Sequence, residues 1–306
     1  MLTVQVQPFL ATLPLLSRVT STPQSVPLIP QKGKDTWSFR NKLLIGPCGS
    51  GVGFLTKYML LEGLKGPIIP YVLFLDESNN FHLPQDYSQV FANKRDAAFH
   101  LHRMGNEPYL PSGHLPEALP AGITLVKIDH WWHIEGNIER LLQCLNDYFI
   151  YFIGQCVAHP GRSHVLVLDR YWPIILSKRG GSLWHLFRDL MGTLQTHPGE
   201  VWLQTDGLTW IEDLLTHDPA SRQRWDALQD FVGTKMLFQD QWYHSDKMVD
   251  RVRRIYRMNA DDVNLLMSLN RNLRSEAGYK EVMIRQSEKQ AVYGVKADFE
   301  TRQLIG

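Results

Sequence analysis

The sequence has little of three features that would narrow its class at once: cysteine, net charge and long apolar runs. It contains three cysteines, Cys48, Cys144 and Cys156, in 306 residues. An odd number at this spacing fits neither a disulfide framework nor a zinc site, and we therefore expect a reduced, cytosolic setting. The formal net charge is +1, so the chain has no overall field that would attract nucleic acid or acidic lipid.

No apolar run in the sequence has the length of a membrane span. The most apolar window, residues 148–158, is shorter than the roughly 20 residues that a bilayer requires, and we predict a buried core helix there. The N-terminal stretch has no basic residue before Arg18, so we expect no signal peptide. The hydrophobic content of 44% suffices for one large α/β domain or two small ones.

Short apolar runs alternate with helical patterns along the chain. The predicted strands are residues 42–45, 69–76, 123–128, 164–169, 200–205 and 234–238, and the predicted helices are residues 53–64, 96–103, 134–157, 182–194 and 260–272. This alternation predicts an α/β fold with a mostly parallel sheet flanked by helices. The proline-containing residues 1–40 are predicted to form an extended segment leading into a domain of residues 41–306. Residues 280–285 and 291–296 are predicted to close that domain as a hairpin.

One stretch, LLIGPCGSGVGFLTKYM (residues 43–59), has the layout of strand, glycine-rich loop and helix. This is the layout of the P-loop, G-x-x-x-x-G-K-S/T. There, backbone N–H groups hold phosphates, a lysine reaches the β- and γ-oxygens, and a hydroxyl binds Mg²⁺. Gly46 and Gly51 have the required spacing, but Val52 stands in place of the lysine and Gly53 in place of the Ser/Thr. The candidate nucleotide-binding residues are Gly46, Pro47, Cys48, Gly49, Ser50, Gly51, Val52, Gly53 and Phe54.

A second pattern places an acid at the end of a buried strand. The run HVLVLD, residues 164–169, ends in Asp169 and is followed by Arg170. This is the Walker B layout, in which the carboxylate accepts a Mg²⁺-bound water. Hydrolysing enzymes of this type commonly have Glu at the next position as general base, and a guanidinium cannot do this because it does not deprotonate in proteins. Arg170 either brings positive charge to a phosphate or forms a solvated, ion-paired residue.

A third pattern is the strand EVWLQT, residues 200–205, which ends in Gln204 and Thr205. Gln204 is either a sensor beside the γ-phosphate or a polar residue that caps the strand end. Because ligands bind beyond the carboxyl ends of strands in open α/β sheets, Asp76, Asp169 and Gln204 are expected to share one edge with the P-loop. The catalytic candidates are Asp169, Arg170 and Gln204, and the metal-binding candidate is Asp169.

Two further groups of residues have a functional and an ordinary interpretation. His130 and His133 flank two tryptophans, and they form either a metal-binding pair or half-exposed members of an aromatic cluster. Four arginines lie beside Tyr256, and they either contact nucleic acid or an acidic partner or form a solvated helix face. These arginines are Arg251, Arg253, Arg254 and Arg257.

Taken in order, these motifs resemble the C-terminal motor domain of the large RecA-like ATPase of bacterial type IV secretion and conjugation systems. Besides the glycine-rich loop, LVLDRYW (166–172) resembles the Asp-Glu-x-Trp box of that family. Residues 187–213 resemble its sensor region, and VGTKMLFQDQ (232–241) resembles its Pro-Thr-Lys strand. The similarity runs over nearly the whole chain. It implies a RecA-like P-loop NTPase fold, with ATP and Mg²⁺ as cofactors that are bound weakly or not at all.

The resemblance also implies a cellular setting. We expect other type IV secretion subunits as partners in a homo- or hetero-oligomer, peripheral at the cytoplasmic side of the inner membrane, that translocates DNA or protein. Nucleic acid is not indicated by the net charge. The large N-terminal domain of the family, which docks on the secretion channel, is expected to be missing.

The substituted catalytic positions determine the expected activity. Because Val52, Gly53 and Arg170 replace residues that the family uses in catalysis, we expect impaired hydrolysis. One alternative is an active ATPase with rearranged residues, in which Lys57, Arg170 or an arginine from a neighbouring subunit replaces the missing lysine. The other alternative is an interaction module that does not use nucleotide.

Overall fold

A computed structural model of the chain describes residues 12–17, 23–28, 40–47, 50–64, 69–76, 98–103, 117–127, 138–170, 172–205, 207–239, 246–269, 280–286 and 289–295. The strands are β1 (Thr12–Ser17), β2 (Pro23–Pro27), β3 (Lys42–Ile45), β4 (Tyr71–Asp76), β5 (Ala98–Arg103), β6 (Gly122–Lys127), β7 (His164–Asp169), β8 (Gly199–Thr205), β9 (Thr234–Leu237), β10 (Lys280–Gln286) and β11 (Lys289–Val295). The helices are α1 (Val52–Leu64), α2 (Ile138–Ala158), α3 (Pro173–Leu176), α4 (Gly181–Thr196), α5 (Leu208–His217), α6 (Pro219–Phe231), α7 (Asp246–Tyr256) and α8 (Ala260–Met267).

The chain divides into two compact units. The central unit spans Leu60–Leu203, and the terminal unit combines Leu10–Met59 with Gln204–Leu304. Helix α1 and strand β8 contribute residues to both units.

In the central unit four strands pair in parallel, in the order β7-β4-β6-β5. The register sets Leu75 of β4 opposite Leu168 of β7, and Asp76 of β4 opposite Lys127 of β6. Strand β7 is buried along its whole length, as expected for an apolar strand that is covered on both faces. Because the strands are parallel, their carboxyl ends lie at one edge, which is where ligands bind in open α/β sheets.

The terminal unit combines one parallel strand pair with an antiparallel extension. Strand β3 runs parallel to β9, with Leu44 opposite Met236. From β9 the order continues β10-β11-β1-β2, and each of these neighbours is antiparallel. The hydroxyl of Tyr58 in α1 donates a hydrogen bond of 3.0 Å to the carbonyl oxygen of Pro14 in β1. This bond joins the glycine-rich loop's helix to the extended N-terminal strands.

Aromatic contacts pack the two long helices of the central unit. The ring centroid of Phe149 in α2 lies 5.9 Å from that of Phe187 in α4. Phe152 of α2 meets the buried imidazole of His164 in β7 edge to face, with 6.2 Å between centroids. Burial lowers the pKa of His164 to about 4, so this imidazole is neutral at physiological pH and packs as part of the core.

The structure confirms the predicted α/β class, with parallel strands and flanking helices, and the predicted closing hairpin is β10 and β11. The predicted helix at residues 96–103 is wrong, because Ala98–Arg103 forms strand β5, parallel to β6. Its sequence AFHLHR alternates apolar and polar residues from Phe99 to His102, which is the period of a strand, and pairing with β6 overrides local helix propensity. The predicted helix at 260–272 ends at Met267, and residues 270–272 lie outside the described part of the chain.

The domain boundaries at residues 40 and 41 stay a prediction.

Among the helices that the structure describes, none combines the length and the apolar character of a membrane span.

Candidate functional site

The glycine-rich loop connects the buried strand β3 to α1 in the terminal unit, as the sequence predicts. Of its residues the structure describes Gly46, Pro47, Ser50 and Gly51, and Cys48 and Gly49 lie outside the described part. The backbone N–H of Ser50 donates a 2.9 Å hydrogen bond to the carbonyl of Pro47, which closes a tight turn in the loop.

Gly46 is held where no larger residue fits. A Cβ placed on Gly46 would clash with Oγ of Ser50 and would lie 2.7 Å from Cβ of Phe238 and 2.8 Å from Cγ2 of Val52. Its backbone N–H donates to the carbonyl oxygen of Thr205 at the end of β8, at 3.2 Å. Because Gly46 has no side chain, the backbone after β3 can pack directly against the side chain of Val52, the first residue of α1.

Gly51 turns the chain into helix α1. Its φ of 107° lies in the region that favours glycine, and its carbonyl accepts the first helical hydrogen bond, 2.8 Å from the N–H of Leu55. The N–H groups of Val52, Gly53 and Phe54 precede that bond and, as at any helix N-terminus, have no intrahelical acceptor. They form a partial positive charge that favours an anion such as phosphate.

The loop lacks the two side chains with which a P-loop binds phosphate and a metal ion, the lysine and the following hydroxyl. Val52 is 5% exposed, and its apolar side chain occupies the position at which a P-loop has its lysine. Gly53 has no hydroxyl to offer a metal ion. The hydroxyl that the loop does contain is Oγ of Ser50, which is buried and has no hydrogen-bond partner among the described residues.

The residues of the loop therefore fit a phosphate group better than a metal ion. Backbone N–H groups, a buried hydroxyl, the close-packed Gly46 and the positive φ of Gly51 suit phosphate oxygens. Within the part of the chain that the structure describes, no group of three His, Cys, Asp or Glu side chains is placed to hold a metal.

The side chain of Gln204 is hydrogen-bonded to helix α1. Its role as a sensor of the γ-phosphate stays a prediction. The hydroxyl of Thr56 lies 2.6 Å from Oε1 of Gln204 and 3.1 Å from the carbonyl oxygen of Val52. Both side chains are buried, with Thr56 at 0% and Gln204 at 3% exposure. Together with the bond from Gly46 to Thr205, this contact fixes the end of β8 to both sides of the loop.

Thr56 was not among the residues predicted from the sequence. Its position four residues after Val52 puts its hydroxyl on the same helix face, and that spacing is the signal that would have identified it.

We expect Thr56→Val to destabilise the protein by about 1–2 kcal/mol, because a buried amide oxygen loses its hydrogen-bond donor. The matched control is Thr193→Val, since the Thr193 hydroxyl also bonds a helix carbonyl, that of Asp189 at 2.9 Å, but at an exposed position. The control should change stability by less than about 0.5 kcal/mol. Urea unfolding followed by circular dichroism measures both, and equal losses would show that the contact with Gln204 has no special weight.

Asp169 lies at the carboxyl end of β7 in the central unit, as predicted, and is fully buried. The register that pairs Leu75 with Leu168 brings Asp76 and Asp169 to adjacent strand ends. Arg170 follows with a φ of 61°, a left-handed conformation that costs a non-glycine residue about 1–2 kcal/mol. The catalytic roles of Asp169 and Arg170 stay predictions.

The same edge of the central unit contains basic residues that were not predicted. Lys127 lies opposite Asp76 at the end of β6, and Arg103 lies opposite Lys127 at the end of β5. The row of strand ends thus contains two basic residues followed by two acidic ones, Asp76 and Asp169.

A lysine from β10 lies beside the glycine-rich loop and was also missed. A Cβ placed on Gly51 would lie 3.5 Å from Cγ of Lys280 and 3.5 Å from Cε1 of Phe238. Partial burial lowers the pKa of Lys280. No local pattern in the sequence connects these residues, since β10 is more than two hundred positions after the loop.

The arginine cluster is partly neutralised by acids in the terminal unit. Nε of Arg251 lies 2.7 Å from Glu212, and Arg257 lies 3.0 Å from both Asp226 and Asp230. These ion pairs favour the interpretation as a solvated, ion-paired helix face. His130 and His133 lie outside the described residues.

Two features define the class of the P-loop NTPase fold: parallel strands that alternate with helices, and a glycine-rich loop between strand β3 and helix α1. Among solved structures, the fold is similar to that of VirB4 of Thermoanaerobacter pseudethanolicus, with a TM-score of 0.62 over 95% of this chain and 97% of that chain at 11% identity. It is also similar to the cytoplasmic domain of the Thermomonospora curvata type VII secretion ATPase EccC, with a TM-score of 0.54 over 98% of this chain and 31% of that chain at 12% identity.

At this identity the likeness shows the fold, and it confirms the resemblance that the motifs predict. The sequence matches no family model and no curated protein.

Proposed function

We propose that this chain is a motor-ATPase-like subunit of a type IV secretion or conjugation apparatus, in which the P-loop binds nucleotide weakly and hydrolysis is impaired. The observation that carries the proposal is the contrast within the loop: Gly46 and Gly51 have the spacing and the backbone conformation of the motif, while Val52 stands in the lysine position. Similarity in fold to VirB4 and EccC supports a secretion setting.

The sizes of the missing interactions favour weak binding. A hydrogen bond to a charged group contributes about 1.5–3 kcal/mol. Losing the P-loop lysine and the metal-binding hydroxyl therefore weakens binding by about two to four decades, at about 1.4 kcal/mol per decade. Backbone N–H groups at the start of α1 still favour an anion.

Hydrolysis is affected more severely than binding. A general base accelerates such reactions by about 10²- to 10⁴-fold, and Arg170 cannot supply one. A protein of this kind would act through binding and assembly. We propose that it joins homo- or hetero-oligomers with other secretion subunits, on the cytoplasmic side of the inner membrane, during translocation of DNA or protein.

Thermal unfolding of the full chain with ATP or ADP tests this proposal. A ligand that binds only the folded state stabilises it by RT ln(1 + [L]/Kd), which is about 1.4 kcal/mol at about 5 mM ligand and a Kd of about 0.5 mM. We expect a clear rise in Tm that is similar in Mg²⁺ and in EDTA, because Gly53 offers no metal ligand. We also expect a kcat below about 1 s⁻¹, the low end of ordinary enzymes.

The other outcomes point to the alternatives. Turnover faster than about 1 s⁻¹ would contradict impaired hydrolysis and indicate an active ATPase with rearranged residues. An unchanged Tm at every millimolar concentration of ATP and ADP would contradict nucleotide binding, and would leave an interaction module.

A further inference from the structure

The stem of Lys280 passes the N-terminal end of helix α1. A Cβ placed on Gly51, the residue before that helix, would lie 3.5 Å from Cγ and 3.8 Å from Cβ of Lys280. A lysine side chain therefore lies beside the loop whose own lysine position is occupied by Val52.

The support for this lysine is rigid. Lys280 is the first residue of β10, where it pairs with Val295 of β11. Strand β10 is hydrogen-bonded on its other side to β9, the parallel neighbour of β3, which leads into the loop. Because the hairpin and the loop are fixed to one set of strands, the contact with Gly51 needs no movement of the chain.

The surroundings of Lys280 suit the binding of an anion. Lys280 is half-buried, and this burial lowers its pKa. In a partly water-excluded environment, the attraction between opposite charges is stronger than in bulk water. The ring of Phe238 forms a wall at the same position, with Cε1 at 3.5 Å from the Cβ placed on Gly51. Next to Gly51, the buried hydroxyl of Ser50 has no hydrogen-bond partner in the described part of the chain and offers a second donor.

We propose that Lys280 takes the place of the missing P-loop lysine, and that its ammonium binds phosphate oxygens of a nucleotide held at the N-terminus of α1. The inference rests on the proposed nucleotide binding. It assigns the positive charge of the phosphate site to the C-terminal hairpin of the chain, whereas the sequence pattern pointed to Lys57 or Arg170.

Isothermal titration calorimetry of the full chain with ATP, ADP and AMP tests this assignment. We expect Lys280→Gln to weaken ATP and ADP binding by about 10- to 100-fold, because a charge-assisted contact is lost. Lys280→Arg keeps the charge and should stay within about fivefold of the unaltered chain. The matched control is Lys289→Gln, since Lys289 begins the partner strand of the same hairpin and is exposed. AMP, with a single phosphate, should be affected least by Lys280→Gln.

The outcomes separate this inference from the proposed function. Binding of ATP by the unaltered chain, together with equal affinities for Lys280→Gln and Lys289→Gln, would overturn the role of Lys280 and leave the proposed function intact. No binding of ATP or ADP by the unaltered chain would overturn both. The Tm of each variant without ligand checks folding, and Lys280→Met, which keeps an apolar stem without the charge, replaces Lys280→Gln if that variant is unfolded.

Discussion

The double variant Val52→Lys, Gly53→Thr should bind MgATP about 10²- to 10⁴-fold more tightly than the unaltered chain, because it restores two contacts of about 1.5–3 kcal/mol each. The position suits the change. Cγ2 of Val52 lies 2.8 Å from a Cβ placed on Gly46, so the side chain of residue 52 starts against the first glycine of the loop. Calorimetric titration of the full chain with MgATP measures the gain.

The control for this gain is Val52→Met, which lengthens the side chain without adding charge and should leave the affinity unchanged. The kcat of the double variant should stay below about 1 s⁻¹, because Arg170 stands where the resemblance predicts the general base. In the double variant, Lys280→Gln should cost less affinity than in the unaltered chain, since two neighbouring lysines share one phosphate. A folded double variant with unchanged affinity would show that the loop backbone does not hold phosphate.

Much of the fold could be predicted because its signals are local. The runs KLLI, YVLFLD and HVLVLD are continuous, apolar and of strand length, and all three are strands in the structure. The spacing of Gly46 and Gly51 places a tight turn between such a strand and a helix. Each of these patterns depends only on a few neighbouring residues, so it can be recognised without knowing which distant segments pack against it.

The elements that were missed or wrong depend on partners far away in the sequence. Strand β5 was predicted as a helix because its partner, β6, begins nearly twenty residues later. Strands β1 and β2 were predicted only as an extended segment, since β1 pairs with β11 from the other end of the chain. Asp218 caps the start of helix α6 and accepts a hydrogen bond from the N–H of Ala220. An aspartate followed by proline is a local start signal for a helix.

The same division applies to the candidate site. Asp169 and the loop glycines could be found from local pattern, because each is defined by the residues on either side of it. Lys280 and the contact between Thr56 and Gln204 could not, because they exist only once β10 and β8 have been placed next to the loop. In a P-loop the positive charge comes from a lysine within the motif. In this chain we propose that it comes from Lys280, which lies far outside the motif in sequence.

We expect Trp225→Ala to lower the free energy of unfolding by about 3–5 kcal/mol, the usual cost of removing a large buried aromatic side chain. Trp225 lies in α6 and is 2% exposed. Its indole N–H donates a 2.8 Å hydrogen bond to the carbonyl of Ile255 at the end of α7, and its ring centroid lies 6.5 Å from that of Tyr256. One side chain thus supplies both the apolar contact and the polar contact between these helices.

Two other substitutions show which interaction holds α6 and α7 together. Trp225→Phe keeps most of the ring and should cost about 1–2 kcal/mol, because the carbonyl of Ile255 loses its donor. Arg257→Ala removes both ion pairs to α6, with Asp226 and Asp230, and should cost less than about 1 kcal/mol, since exposed ion pairs contribute little. Urea unfolding followed by circular dichroism ranks the three variants. A larger loss for Arg257→Ala than for Trp225→Ala would mean that the basic cluster, and not the buried tryptophan, fixes helix α7 in place.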